Sequence, residues 1–228
     1  MEEFAANLME ELNVDTAFTI PIFGGIPVAE SVVGTWIVMV LMAGTSWILV
    51  RNLKVENPGK KQLALESGYS FFYHFFDGMI GDHGRRYIPY LITVVIYLGV
   101  ANIIGIAGIK PPTKDLGITA ALSLMSIVLI EYAGVRQKGW KRKIKAFAEP
   151  VWILAPINFL ELFIRPLSLC MRLFGNVLGS FVVMELLKGL FEWVLPVPFS
   201  LYFDIFDGFI QAYVFVFLTS LFIRETIE

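Results

Sequence analysis

The chain has a single cysteine, Cys170, and two histidines in 228 residues. One cysteine cannot form an internal disulfide, so a disulfide-stapled secreted scaffold is excluded. His74 and His83 lie nine residues apart, without the spacing of a metal site, and read as solvated or headgroup-facing side chains. Residues 1–30 contain no lysine or arginine. The acidic start "MEEFAANLMEELNVD" therefore lacks the basic region of a signal peptide. No internal repeat or low-complexity segment stands out. No G-x-x-x-x-G-K-[ST] loop is present to cradle a nucleotide phosphate, nor a Ser–His–Asp order, a zinc spacing or a haem motif. The reading is of a non-catalytic chain with no cofactor, no metal and no nucleic-acid partner.

What is abundant is apolar surface. Hydrophobic residues make up 57% of the chain and aromatic residues 14%, against roughly 45–50% apolar in soluble domains. Mean hydropathy is +0.70. Apolar runs cover 32–50, 88–107, 118–135, a long stretch from about 147 to 195, and 199–223. A spanning helix needs ~20 such residues, and backbone in lipid must pair with itself. The expected fold is an all-α polytopic membrane protein with five transmembrane crossings, forming one membrane domain over 1–228. Within it, 1–30 is an outside segment, 31–146 holds the first three spans, and 147–228 is a helix hairpin.

Basic residues set the direction. Six lie in 51–86 and six more in "RQKGWKRKIK" at 136–145, whereas "IKPPTKDLG" has two and "FEWVLPVPFSLYFD" has none. The positive-inside rule then places the N-terminus outside and the C-terminal "RETIE" in the cytoplasm. The missing targeting peptide favours a bacterial inner membrane. The aromatic stretch 63–76 is too short to span and is expected to lie in the cytoplasmic interface as a helix. A continuous helix from 158 to 191 would be about 50 Å long, against a hydrocarbon core of about 30 Å. It must be steeply tilted or broken, and Pro166 is a plausible kink.

Within that long run sits Arg172, in "LCMRLFGNVLGSFVVM" at 169–184. A charge at the bilayer centre costs roughly 3 kcal/mol on insertion scales. Glu161 precedes Arg172 by about three turns and points within about 20° of it. Asn176 follows one turn later. Glu185 lies on the opposite flank near Lys188, as an interfacial carboxylate or as part of an ion path. In the last run Asp204, Asp207 and Gln211 recur at spacings of three and four, sharing one face. A turn near Pro196 and Pro198 would bring the two polar faces together. Intramembrane ionisable residues point to an ion or substrate path. Gly175 and Gly179 form a G-x-x-x-G that admits a close partner helix beside Arg172.

"RPLSLCMRLFGNVLG" resembles the signature of subunit a of F-type ATP synthases, as do "PPTKDLGITAALSL", "PINFLELFIRPLSL" and "FIQAYVFVFLTSLFI". The resemblance runs in order from about residue 30 to the C-terminus. It implies that Arg172 is the family's essential arginine, Asn176 its channel asparagine, Gln211 its last-helix glutamine and Glu161 its preceding acid. Two positions depart from a familiar version: Phe181 stands where some members have glutamate, and Asp204 where some have histidine. Glu185, one turn beyond Phe181, could supply the missing carboxylate. The implied function is a pair of offset half-channels that load and unload carboxylates on a ring of c subunits, moving protons or sodium. The implied partners are that ring, the peripheral-stalk b subunits and the catalytic head that handles ATP. The rival reading is a stand-alone secondary ion transporter, which would usually show internal repeats and broken helices.

Overall fold

The computed structural model describes residues 16–20, 26–55, 57–104, 111–140, 155–190 and 202–227. Six long helices dominate it: α1 (Glu30–Val50), α2 (Lys60–Ile80), α3 (Ile88–Ile103), α4 (Leu116–Lys138), α5 (Ala155–Leu190) and α6 (Gly208–Ile227). A short 3-10 segment, Asp82–Tyr87, leads into α3, and a π-helical turn, Tyr202–Asp207, leads into α6. Among the described residues, five stretches are long and apolar enough to cross a membrane: Glu30–Val50, Asp82–Ile103, Leu116–Lys138, Pro156–Met184 and Ile205–Ile227. The five-span, predominantly helical expectation is met. One element goes beyond it: β1 (Thr16–Ile20) pairs antiparallel with β2 (Ile26–Ala29) in a small hairpin ahead of α1.

Local chemistry accounts for the helix limits. Asp115 caps α4 by accepting from the Gly117 backbone N–H at 2.7 Å, satisfying one of the orphan donors of the first turn. Gly139 closes that helix at φ +79°, a left-handed geometry open to glycine without a Cβ penalty. Pro89 occupies the first turn of α3, where a missing N–H costs nothing. At the end of α1 the Arg51 guanidinium lies 5.5 Å above the Trp47 ring, the kind of anchor found at a membrane–water boundary.

Helices α3, α4 and α6 form the centre, around fully buried Ile88, Leu91, Leu98, Ile130, Phe215 and Ile223. Helix α5 rests mainly on α4 and touches α6 only sparsely, and its Leu169 and Leu173 are fully buried. Helix α1 is the most outlying span, with Val40 and Trp47 each about two-thirds exposed or more. Helix α2 runs beyond the expected 63–76 and docks on α6, where Phe75 meets Tyr213 with ring centres 5.9 Å apart.

Polar contacts fix the directions of the helices. The Ser31 hydroxyl at the start of α1 donates to the Asp115 carboxylate at the start of α4. Asn102 near the end of α3 donates to the Gly208 carbonyl at the start of α6, at 2.9 Å. These four helix ends therefore share one side of the bundle. On the other side, Arg165 near the start of α5 reaches Glu225 near the end of α6. Helix α5 is 36 residues long and runs unbroken through Pro166, so of the two expectations for the long run the broken one is set aside. At 1.5 Å per residue it measures about 54 Å. The basic residues 141–145 and the expected turn at Pro196 and Pro198 lie outside the described residues.

At Gly208 the start of α6 approaches α3 tightly. A Cβ there would sit 2.8 Å from Asn102 Cβ and 3.2 Å from its Cγ, too close without moving backbone. Gly208→Ala is expected to cost about 1–3 kcal/mol, as overpacking does. A thermal melt of the solubilised complex should show the loss, and an unchanged melting temperature would contradict this packing.

Candidate functional site

Polar side chains bridge α5 and α6 where apolar packing between them is sparse. Gln211, on the first turn of α6 and 6% exposed, donates from Nε2 to the Arg172 carbonyl at 2.7 Å. This contact holds the backbone of α5 in register against α6 at Arg172. The Arg172 side chain is exposed, and among the described residues its guanidinium has no ion pair or hydrogen bond. Gly175 and Gly179 are exposed as well, and a Cβ at either would meet nothing within 4 Å. Residues 168, 172, 175 and 179 recur at helical spacing, so α5 presents one open face of small residues around a single cation.

One polar cluster lies C-terminal to Arg172 on α5. The Asn176 amide Nδ2 donates to Asp207 Oδ2, and the Ser180 hydroxyl donates to the same oxygen at 3.3 Å. Asp207 ends the π-helical turn, directly before Gly208. The extra residue per turn of a π segment rotates side chains relative to an α-helix, a device common at functional sites. The cluster extends toward α3: the Thr113 hydroxyl donates to Asn102 Oδ1 at 3.2 Å, and Asn102 holds the Gly208 carbonyl.

A second cluster lies N-terminal to Arg172. Arg165 donates to Glu161 Oε1 from Nε at 3.2 Å and from Nη2 at 2.8 Å, and Nη2 also reaches Glu225 Oε1 at 3.0 Å. The Arg165 guanidinium carbon sits 5.0 Å above the Phe222 ring, a favourable cation–π placement. Glu161 is thus held by Arg165, about 16 Å along the helix from Arg172.

The structure therefore brings Asn176 to Asp207, Gln211 to the Arg172 backbone, and Glu161 to Arg165. Asp204 and Glu185 lie within helical segments, but their side chains, like that of Phe181, are outside the described residues. The sequence reading missed Ser180, Arg165, Glu225, Asn102 and Thr113. Arg165 was findable: it precedes Arg172 by seven residues, two turns on the same side of the helix. Glu225 was not, because its partner is sixty residues away.

The chain is similar to known proteins along nearly all of its length. The family model described as ATP synthase A chain matches residues 32–224. The chain is 38% identical over 206 residues to "ATP synthase subunit a" of Moorella thermoacetica, covering 90% of this chain and 94% of that protein. It is 33% identical over 231 residues to "ATP synthase subunit a 1" of Pelobacter propionicus, covering 99% and 95%. It is 31% identical over 219 residues to "ATP synthase subunit a, sodium ion specific" of Propionigenium modestum, covering 89% and 75%.

Proposed function

The chain belongs to the ATP synthase A chain family, and from that premise we propose that it passes protons or sodium ions to and from the c ring through two half-channels offset about Arg172. The observation that supports this most directly is the layout along α5. Two polar clusters, Asn176–Ser180–Asp207 and Glu161–Arg165–Glu225, lie on either side of an arginine whose own face is open.

The physics of that layout is simple. A guanidinium keeps its proton at any ordinary pH. A ring carboxylate arriving beside it is driven toward its ionised form, because a nearby opposite charge favours the charged state. Two such charges about 4 Å apart attract by about 4 kcal/mol at an effective dielectric of 20. That suffices to release a bound cation without locking the ring. The same fixed charge repels cations and keeps one half-channel from emptying into the other. The small residues at 175 and 179 let a ring helix approach closely, and the ring carboxylate offsets the cost of a charge in the membrane.

In this reading the Asp207 cluster, with Asp204 and Glu185, serves the outer half-channel, and Glu161 serves the cytoplasmic one. The protein lies in a bacterial inner membrane with its N-terminus outside, its C-terminus inside and α2 along the cytoplasmic interface. Its partners are the c ring, the peripheral-stalk b subunits and, through the complex, the catalytic head. Gentle detergent extraction should yield the chain with a small ring-forming subunit and a soluble ATPase; recovery alone from intact membranes would contradict the assignment. Glu161→Gln should slow ATP-driven pumping while leaving assembly intact, and normal pumping at every pH would remove Glu161 from the path.

A further inference from the structure

The last turns of α6 contribute a carboxylate that the half-channel assignment leaves unused. Glu225 is brought to Arg165 from sixty residues away and shares Nη2 with Glu161. Arg165 is only 14% exposed, whereas the two carboxylates are 47% and 57% exposed. One guanidinium between two carboxylates leaves an excess negative charge. A pin between α5 and α6 needs only one carboxylate on α6 to hold Arg165. The second, on α5 itself, adds nothing to that bridge. Each carboxylate meets Arg165 through Oε1, so the other oxygen of each takes no hydrogen bond from Arg165. The cluster lies about 10 Å along α5 from Arg172.

Building on the half-channel reading above, we infer that Glu225 is a second ion-collecting carboxylate at the Glu161 end of the path, and that Arg165 is the positioning residue that sets the pair side by side. A cation released near Arg172 is drawn toward the excess negative charge, and two half-exposed carboxylates offer it successive acceptors on the way to water. Arg165 acts through the pair rather than on the ion. Its planar fork reaches both helices at once, which a lysine ammonium on a flexible stem does less well.

The test uses whole ATP synthase in membrane vesicles, with ATP-driven pumping and gradient-driven synthesis both expressed per assembled complex. Glutamine at 225 keeps an oxygen acceptor for Arg165 but removes the charge. Glu225→Gln should therefore assemble normally yet lower both rates by about tenfold, the low end of what charge steering contributes. Glu225→Asp, which keeps the charge, should recover most of the rate. The Glu161→Gln/Glu225→Gln pair should fall below either single variant. Wild-type rates in Glu225→Gln would overturn the inference. So would equal per-complex losses in the Gln and Asp variants, since rates that ignore the retained charge mark a structural pin. An Arg172→Ala complex in the same membranes separates the two levels. If it still synthesises ATP, the half-channel reading has failed; if it is inactive while Glu225→Gln is normal, only the role of Glu225 has.

Discussion

Arg172→Ala should abolish ion-driven ATP synthesis in complexes that assemble normally. Nothing would then favour ionisation of the ring carboxylate as it passes α5, so the cation would stay bound and the ring would not turn productively. The same change removes the positive barrier between the half-channels, so passive ion leak through vesicles stripped of the catalytic head should rise. Arg172→Lys should also fail in synthesis, with less leak. It retains a charge, but without the planar fork, and a desolvated lysine surrenders its proton more readily. The structure argues against a folding role for this side chain, because its guanidinium has no partner among the described residues. Only its backbone carbonyl is engaged, by Gln211, and alanine keeps that carbonyl. Assembly should therefore survive the substitution. Reduced assembly in step with reduced synthesis would contradict the account.

Asp207→Asn should produce the next largest loss. Asp207, at the end of the π-helical turn before α6, accepts hydrogen bonds from two polar groups of α5, Asn176 and Ser180. Asparagine keeps the shape and one oxygen, so the helix pair should hold. What goes is the negative charge beside Arg172's flank that a cation would meet on its way to the ring. Synthesis and pumping should each drop by at least about tenfold, the lower range for removing one charged group that steers or relays an ion. Asp207→Ala should add a stability cost of about 1–3 kcal/mol, because the Asn176 and Ser180 donors lose their acceptor. A cysteine introduced at 204, 207 or 211 should react with a thiol reagent or silver ion added outside. Wild-type flux from Asp207→Asn, with cysteines there fully protected, would remove this cluster from the path.

Much of this was legible in the sequence because lipid restricts the chain so strongly. Runs near twenty apolar residues had only helices to become, and spacing alone grouped Asn176 with Arg172 on one helix and Asp207 with Gln211 on the next; that Arg172 itself would point to the open face rather than to Gln211 was not legible. The small hairpin Thr16–Ile20 with Ile26–Ala29 was not legible, since short strands carry weak local signal and this one lies in a segment read only for its missing basic residues. The long run reads as tilted or broken, with Pro166 a plausible kink, and α5 continues through Pro166 without a break, as membrane helices tolerate when neighbours re-satisfy the backbone. Glu161 was placed by helical angle on the Arg172 side, but angle ignores competition. Arg165, one turn away, is close enough to capture its carboxylate first. Contacts between distant segments, such as Asn102 with Gly208 and Arg165 with Glu225, follow from packing that no periodicity encodes.

The central claim is that the open face of α5 around Arg172 meets the ring, and cross-linking tests it most directly. With Cys170→Ser as background, a cysteine is placed by Gly175→Cys or Gly179→Cys, and another on a c subunit one turn from its ion-binding carboxylate. Mild oxidation of native membranes should give an a–c disulfide adduct. Cysteines on the buried side of α5, in place of Leu169 or Leu173, should give none. An adduct from the buried side, or none from positions 175 and 179 in membranes that still synthesise ATP, would contradict it.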